Sequence, residues 1–382
     1  MSERLGSLLL EEFSSVDWNQ PKMQNIDDLK LTMGSHLGLV RKRNEDRVAA
    51  AKIRAANGQT YFAGIVCDGV GGSEFGDVAA SVAISSFFSE LARTKVAISS
   101  YDLIPHLLRK MDDAVRARLQ GRGTTTASVI LASSNQEFVS ANIGDSRIYS
   151  YGNGTPDFKQ LSVDDTLENE LKRLSISDAS ALNAKGLLGS LSQALGEGNR
   201  SSKDLKVRTQ NNASQKAGLL LASDGAWKID PSGFDSIIVN SKSGLDSAKR
   251  IIAFANWVGG VDNTSILVIE DCQLIMDDCQ KDAQTASRDI KISVWFGETK
   301  LVMWEQTIFT QSALENNKNN IEATPPQKQK PKRSSSKAKK EIQTIKDPIK
   351  PEQFTLESRQ SSRTKNERPK AEISIDSSLP KD

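Results

Sequence analysis

Histidine and cysteine are scarce in this chain. Its 382 residues include two histidines, His36 and His106, and three cysteines, Cys67, Cys272 and Cys279. No two cysteines stand in a CxxC spacing, which excludes a zinc knuckle, and their odd number argues against a disulfide framework. A reducing, cytoplasmic setting is expected. Net charge is almost absent as well: 50 basic against 48 acidic residues leave +2, a balance that points neither to nucleic acid nor to an acidic surface. No apolar run approaches the ~18 residues of a membrane span. The best N-terminal stretch, Leu8 to Leu10, meets Glu11 and Glu12 at once, so neither a membrane helix nor a signal peptide is expected. The apolar fraction of 37% is low for a globular chain of this size, and the shortfall is concentrated after about Gln311.

What is present divides the chain into four stretches. Residues 1–28 are polar with scattered apolar positions and read as a loose arm. Residues 29–271 alternate strand-like and helix-like patterns. Strands are expected within 31–40 and over 60–67, 125–133, 137–143, 147–151, 158–161, 205–209, 218–222 and 265–269. Helices are expected over 77–94, with Asp77 as cap, and over 104–119 and 247–258. The interval 164–198 is helical in pattern but polar, as an insertion over a site would be. Runs of strands among paired helices indicate an α+β fold with mainly antiparallel sheets. Residues 272–310 form a smaller extension that reads as a hairpin carrying Trp295 and Trp304. Residues 311–382, a basic and serine-rich tail, are too poor in apolar side chains to offset an ordering entropy of about 1–2 kcal/mol per residue, and disorder is expected. Their basic run, 328–340, lacks aromatic residues for base stacking, so a docking arm is favoured over nucleic-acid contact.

Acidic residues recur at the ends of apolar runs. Asp68 closes IVCD before the glycine-rich turn GVGG, Asp224 closes LLLASD before Gly225, and Asp145 lies in ANIGDSR. Glu45 and Asp46 end RKRNED, and Asp262 and Asn263 open VDNTSILVI. Together they point to a carboxylate-built metal centre gathered from distant strand ends. With so little nitrogen and sulfur, zinc and copper are excluded, and the hard oxygens of Asp68, Asp224, Asp262, Glu45 and the Gly69 carbonyl suit Mg²⁺ or Mn²⁺. Arg41, four residues before Glu45 on what reads as one strand, shares its face and is placed to hold phosphate oxygens.

The ordered set RxxNED (41–46), DGVGG (68–72), GTT (123–125), GDSR (144–147), SDG (223–225) and DNT (262–264) resembles the PPM family, the type 2C metal-dependent serine/threonine protein phosphatases, in its bacterial-type branch. The resemblance spans about residues 29–270. It implies a four-layer α-β-β-α sandwich, two antiparallel sheets face to face with helices outside, and two Mn²⁺ or Mg²⁺ ions at one end. Asp68 would bridge the ions, Asp224 and Asp262 would complete one site, and Glu45 with the Gly69 carbonyl the other. Asp46 and Asn263 would orient ligands or waters. Asp145 with Asp224 would match a weaker third metal site, and Arg41 the phosphate-binding arginine. Arg41, Asp68 and Asp224 are thus the expected catalytic set. The implied reaction is in-line attack, by a hydroxide held between two ions, on phosphoserine or phosphothreonine, without a phosphoenzyme.

Two departures stand out. Val70 occupies a position where eukaryotic members often carry a histidine acid, leaving a metal-bound water or, less favoured, His36 to protonate the leaving group. Asp165 stands where bacterial relatives usually have histidine, and the following flap, to Leu195, is unusually polar, so substrate choice is expected to differ. The expected partners are phosphoserine and phosphothreonine proteins and a cognate serine/threonine kinase or its substrates, with the chain acting as a monomer. A phosphoprotein-binding regulator with little turnover and a phosphatase of a small phosphorylated metabolite are the alternatives.

Overall fold

The computed structural model describes residues 2–152, 158–174, 187, 189–212, 218–284 and 290–305. Helices among them are α1 (Ser2–Ser15), α2 (Gly76–Ala92), α3 (Ser100–Leu119), α4 (Leu167–Arg173), α5 (Asp224–Trp227), α6 (Pro231–Val239), α7 (Gly244–Trp257) and α8 (Cys272–Ala283). The strands are β1 (Lys22–Ile26), β2 (Leu31–His36), β3 (Arg47–Arg54), β4 (Thr60–Cys67), β5 (Ala127–Ser133), β6 (Phe138–Ile143), β7 (Arg147–Tyr151), β8 (Phe158–Gln160), β9 (Arg208–Asn211), β10 (Gly218–Ala222), β11 (Thr264–Ile269), β12 (Ile290–Phe296) and β13 (Thr299–Glu305). They form two antiparallel sheets, in the orders β1-β2-β11-β10-β7-β8 and β13-β12-β3-β4-β5-β6-β9.

Both sheets are buried on both faces, which is why their central strands are nearly continuous apolar runs rather than alternating ones. In β10 and β11, Leu219, Leu221, Leu267 and Ile269 join the core between the sheets. Their neighbours Leu220, Ala222, Ile266 and Val268 face the second core, which Ala248 and Ile251 of α7 and Phe234 of α6 complete. Helices α2, α3 and α8 pack on the outer face of the seven-stranded sheet. The architecture is the expected α+β sandwich of two antiparallel sheets flanked by helices.

Several expectations need correction. Residues 2–26, most of the 1–28 stretch expected as a loose arm, are docked. Leu9 and Phe13 of α1 are fully buried, Trp18 is 3% exposed, and the Phe13 ring lies 4.5 Å from that of Phe296. The apolar positions Leu5, Leu9 and Phe13 recur at helical spacing and give α1 a buried stripe. Arg41 and Glu45 lie in the loop between β2 and β3, not on a strand. Asp77 does not cap α2, whose N-cap is Phe75, and pairs instead with Arg43 at 3.3 Å. In the polar interval 164–198 only α4 is helical among the described residues.

Residues 272–284 and 290–305 are part of the sandwich. Helix α8 buries Cys272, Ile275, Met276 and Cys279, and β12 pairs with β3 while β13 forms the outer strand of the hairpin. The expectation for the tail, 311–382, lies outside the described residues, as do residues 175–186 and 188 of the flap.

Candidate active site

Each loop that carries an acidic residue is set by the strand before or after it. Strand β4 ends at Cys67, and Asp68 follows with its backbone locked to the next strand: its N–H donates to Thr126 Oγ1 at 3.0 Å, and its carbonyl accepts from Thr126 N–H and Thr125 Oγ1 at 2.8 and 2.9 Å. The adjoining Gly69 is required by close approach. A Cβ there would stand 2.5 Å from the Gly76 carbonyl carbon and 2.9 Å from Glu45 Cβ. Glu45 is thereby held beside the Gly69 backbone, whose N–H donates to the Glu45 carbonyl at 3.2 Å.

Asp145 sits in the turn between β6 and β7, where Gly144 takes φ +94°. Asp165 clamps that turn: its carboxylate accepts from Gly144 N–H at 3.1 Å and Gln193 at 2.7 Å, and pairs with Arg208 at 2.6 Å. Asp224 opens α5 directly after β10, and Asp262 precedes β11. Asn263 ties three pieces together. Its Oδ1 accepts from Glu45 N–H and its Nδ2 donates to Leu37 O, both at 2.8 Å, while its own N–H donates to Asp262 Oδ1 at 2.8 Å.

Asp68, Asp145, Asp224 and Asp262 line one cavity of about 510 Å³, together with Arg41, Val70 and Lys228. Arg41 reaches it from its loop, with Nη2 2.7 Å from Asp262 Oδ2. Its guanidinium lies over the glycine turn, and a Cβ on Gly71 would collide with it at 2.8 Å. Segment 189–197 supplies the opposite wall through Gly189, Ser190, Leu191, Ala194 and Glu197. Glu45 and Asp46 do not line the cavity. Asp46 is fully buried, and its Oδ2 accepts from Ser223 Oγ at 2.7 Å. A larger groove, about 1080 Å³, lies between α1, α2 and α3, but it gathers no comparable acidic cluster.

Crowding of like charge shows in the acids' proton affinities. Burial, then the charges of Asp46, Asp224, Asp145 and Asp262, push the Asp68 carboxyl well above its usual range. Burial and Asp224 lift Asp145 to about 6 against the pull of Lys228. Burial lifts Asp46 to about 7, with Asp262 and Asp224 adding to it against the Ser223 hydrogen bond. Glu45 is raised by burial and by Asp77, and Asp262 by burial and Asp224.

Among the described residues, no three acidic, histidine or cysteine side chains stand close enough together to hold a metal ion as they are. The donor set nevertheless fits a hard divalent cation. The cavity wall offers carboxylate oxygens and no imidazole or thiolate, and Asp46 Oδ1 is buried without a hydrogen-bond partner. The raised proton affinities are those of a cluster short of positive charge. His36 is not on this wall; its Nδ1 accepts from Gly38 N–H at 2.9 Å.

Sequence reasoning missed the residues that hold the loops. Asn44, 1% exposed, donates to Trp18 O and Ser35 Oγ and accepts from Asp46 N–H. Trp18 itself lies under Arg47, 5.0 Å from its guanidinium. Lys228 was missed too, although its i,i+4 spacing from Asp224 is a readable pairing signal.

The family model described as protein phosphatase 2C matches residues 32–232. The serine/threonine phosphatase stp of Listeria welshimeri is 34% identical over 248 residues, covering 61% of this chain and 92% of the relative. Protein phosphatase PhpP of Streptococcus pneumoniae is 26% identical over 250 residues, 63% of this chain and 97% of its own. A solved serine/threonine phosphatase of S. agalactiae matches the fold with a TM-score of 0.52 at 20% identity, covering 62% of this chain and 97% of that one. By the match to more than half its length and by its relatives, the chain belongs to the protein phosphatase 2C family of hydrolytic enzymes.

Proposed function

We propose that this chain is a metal-dependent phosphatase of phosphoserine and phosphothreonine in proteins, opposing a serine/threonine kinase in the cytoplasm of a bacterium. The observation that carries this reading is the convergence of Asp68, Asp145, Asp224 and Asp262 on one cavity beside Arg41. Strand ends of both sheets must meet for that to happen. The names of the relatives as serine/threonine phosphatases support the substrate class, and three free, buried cysteines fit a reducing compartment.

Asp68, Asp224 and Asp262 would hold one Mn²⁺ or Mg²⁺, and Asp68 with Glu45 and the Gly69 carbonyl a second. When bound, such ions supply an activated water nucleophile and charge stabilisation for phosphoryl transfer. The chain's own residues do the rest. Arg41 presents a fork of N–H donors that matches two phosphate oxygens. Asn263 keeps Glu45, Asp262 and the Leu37 carbonyl in fixed relation through its three hydrogen bonds. Asp46, buried within electrostatic reach of Asp224 and Asp262, adds negative charge that favours cation binding and is anchored by Ser223. Segment 189–197 shapes the wall against which the rest of a phosphopeptide would lie.

The test is release of phosphate from a phosphothreonine peptide, with Mn²⁺ and then with excess EDTA. Turnover that EDTA abolishes and Mn²⁺ restores supports the proposal. Tight peptide binding without release would support a phosphoprotein-binding regulator. Release from a small phosphorylated metabolite but from no peptide would move the substrate class.

A further inference from the structure

Lys228 follows the last turn of α5, and its ammonium is shared between two of the cavity's carboxylates. Nζ stands 2.7 Å from Asp224 Oδ2 and 3.5 Å from Asp145 Oδ2. The two acids come from different places, Asp224 from the end of β10 and Asp145 from the turn after β6. The Lys228 backbone is fixed to the same acid, its N–H donating to the Asp224 carbonyl at 2.9 Å. Asp145 is 7% exposed and needs a cation close by. The neighbouring Arg147 is committed elsewhere: it pairs with Asp164 at 2.8 Å and stacks on the Trp227 ring at 3.2 Å.

We infer that Lys228 is the built-in counter-ion of the Asp145–Asp224 pair, an ammonium fixed where a third, weaker divalent ion would otherwise be held. This rests on the metal reading given above and deepens it: the site is filled by two ions rather than three. The physical reasons are direct. A tethered cation competes at a high effective concentration that no dilution lowers. A small divalent ion at this pair would have only two carboxylates and water as ligands, one protein ligand fewer than either of the other two ions, and Lys228 already holds an oxygen of each carboxylate. Lys228 takes Asp224 through Oδ2, which leaves the other oxygen of that carboxylate for the ion shared with Asp68 and Asp262. Being 47% exposed at its side chain, Lys228 is replaceable without opening a core, so its loss is expected to change charge rather than folding.

The experiment is calorimetric titration of the metal-stripped full chain with Mn²⁺, for the wild type, Lys228→Met, Lys228→Arg and the double variant Lys228→Met/Asp145→Asn. The expected result is two ions in the wild type and in Lys228→Arg, one additional weak ion in Lys228→Met, and its loss in the double variant. Three ions in the wild type would show that Lys228 yields to metal and would overturn the inference. So would two ions in both the wild type and Lys228→Met, because removing the ammonium would then free no site. Absence of Mn²⁺ binding in every folded variant would strike the metal reading itself, and the inference with it, a result distinct from either stoichiometric failure.

Discussion

Asp46 shows how a single side chain at this site is set against the stability of the metal-free protein. Its carboxyl is buried and pushed up to about 7. Between about pH 4 and 7 the folded chain keeps this proton while the unfolded chain has lost it, so this residue's contribution to stability falls as pH rises through that window. At pH 8 the full penalty is present. Asp46→Asn should therefore stabilise the metal-free chain at pH 8 by more than about 1 kcal/mol, with the gain vanishing below pH 4; urea unfolding at the two pH values checks this. With saturating Mn²⁺ the gain should shrink or reverse. For Arg41, loss of two charged hydrogen bonds to phosphate predicts that Arg41→Ala raises KM by roughly tenfold or more; an unchanged KM for a phosphopeptide would remove that role. At this scale the sequence was informative wherever an acid closes an apolar run, as Asp68 and Asp224 do. It was silent where pairing needs a second loop, as for Lys228 with Asp145 or Asp165 with Gly144.

At the scale of elements, the connection between α1 and β1 is a support for the loop that carries Glu45 and Asp46. Trp18 accepts from Asn44 through its carbonyl and lies against Arg47, and Asn19 Oδ1 accepts from Asn44 N–H at 2.9 Å. Trp18→Ala should cost about 3–5 kcal/mol, with Mn²⁺ affinity weakened beyond what a distant core truncation of equal cost produces. Asp165→Ala leaves the buried Gly144 N–H without its acceptor, while the 30% exposed Arg208 keeps Val163 O and Glu170 and Gln193 keeps the Lys206 carbonyl; a loss of about 1–3 kcal/mol is expected from the unsatisfied donor, and thermal unfolding would measure it. The central strands were legible because burial on both faces makes them continuous apolar runs. The 2–26 segment was not, since its apolar stripe is sparse and its meaning depends on Phe296, far along the chain. Helix α6 carried a readable start in Asp230 before Pro231, and α8 a helical spacing in Cys272, Ile275, Met276 and Cys279. The Arg41–Glu45 loop was misread because an even residue offset says nothing about facing unless the segment is extended.

On the scale of the whole molecule, the site is a product of packing one sheet on the other. Asp68 is delivered by the seven-stranded sheet and Asp224 and Asp262 by the six-stranded one, so neither sheet alone holds the set. The order of the motifs along the chain and their gathering into one centre were legible in the sequence; that Glu45 and Asp46 would not line the cavity with Asp68, Asp145, Asp224 and Asp262 was not. The measurement that tests the account most directly is Mn²⁺-dependent phosphate release from a phosphothreonine peptide by the wild type, Asp68→Asn and Asp224→Asn, each shown folded by circular dichroism. The account predicts turnover in the wild type and a loss of at least about a hundredfold in both variants, the scale of removing one electrostatic element of a catalytic site. Wild-type turnover that survives both substitutions would contradict it.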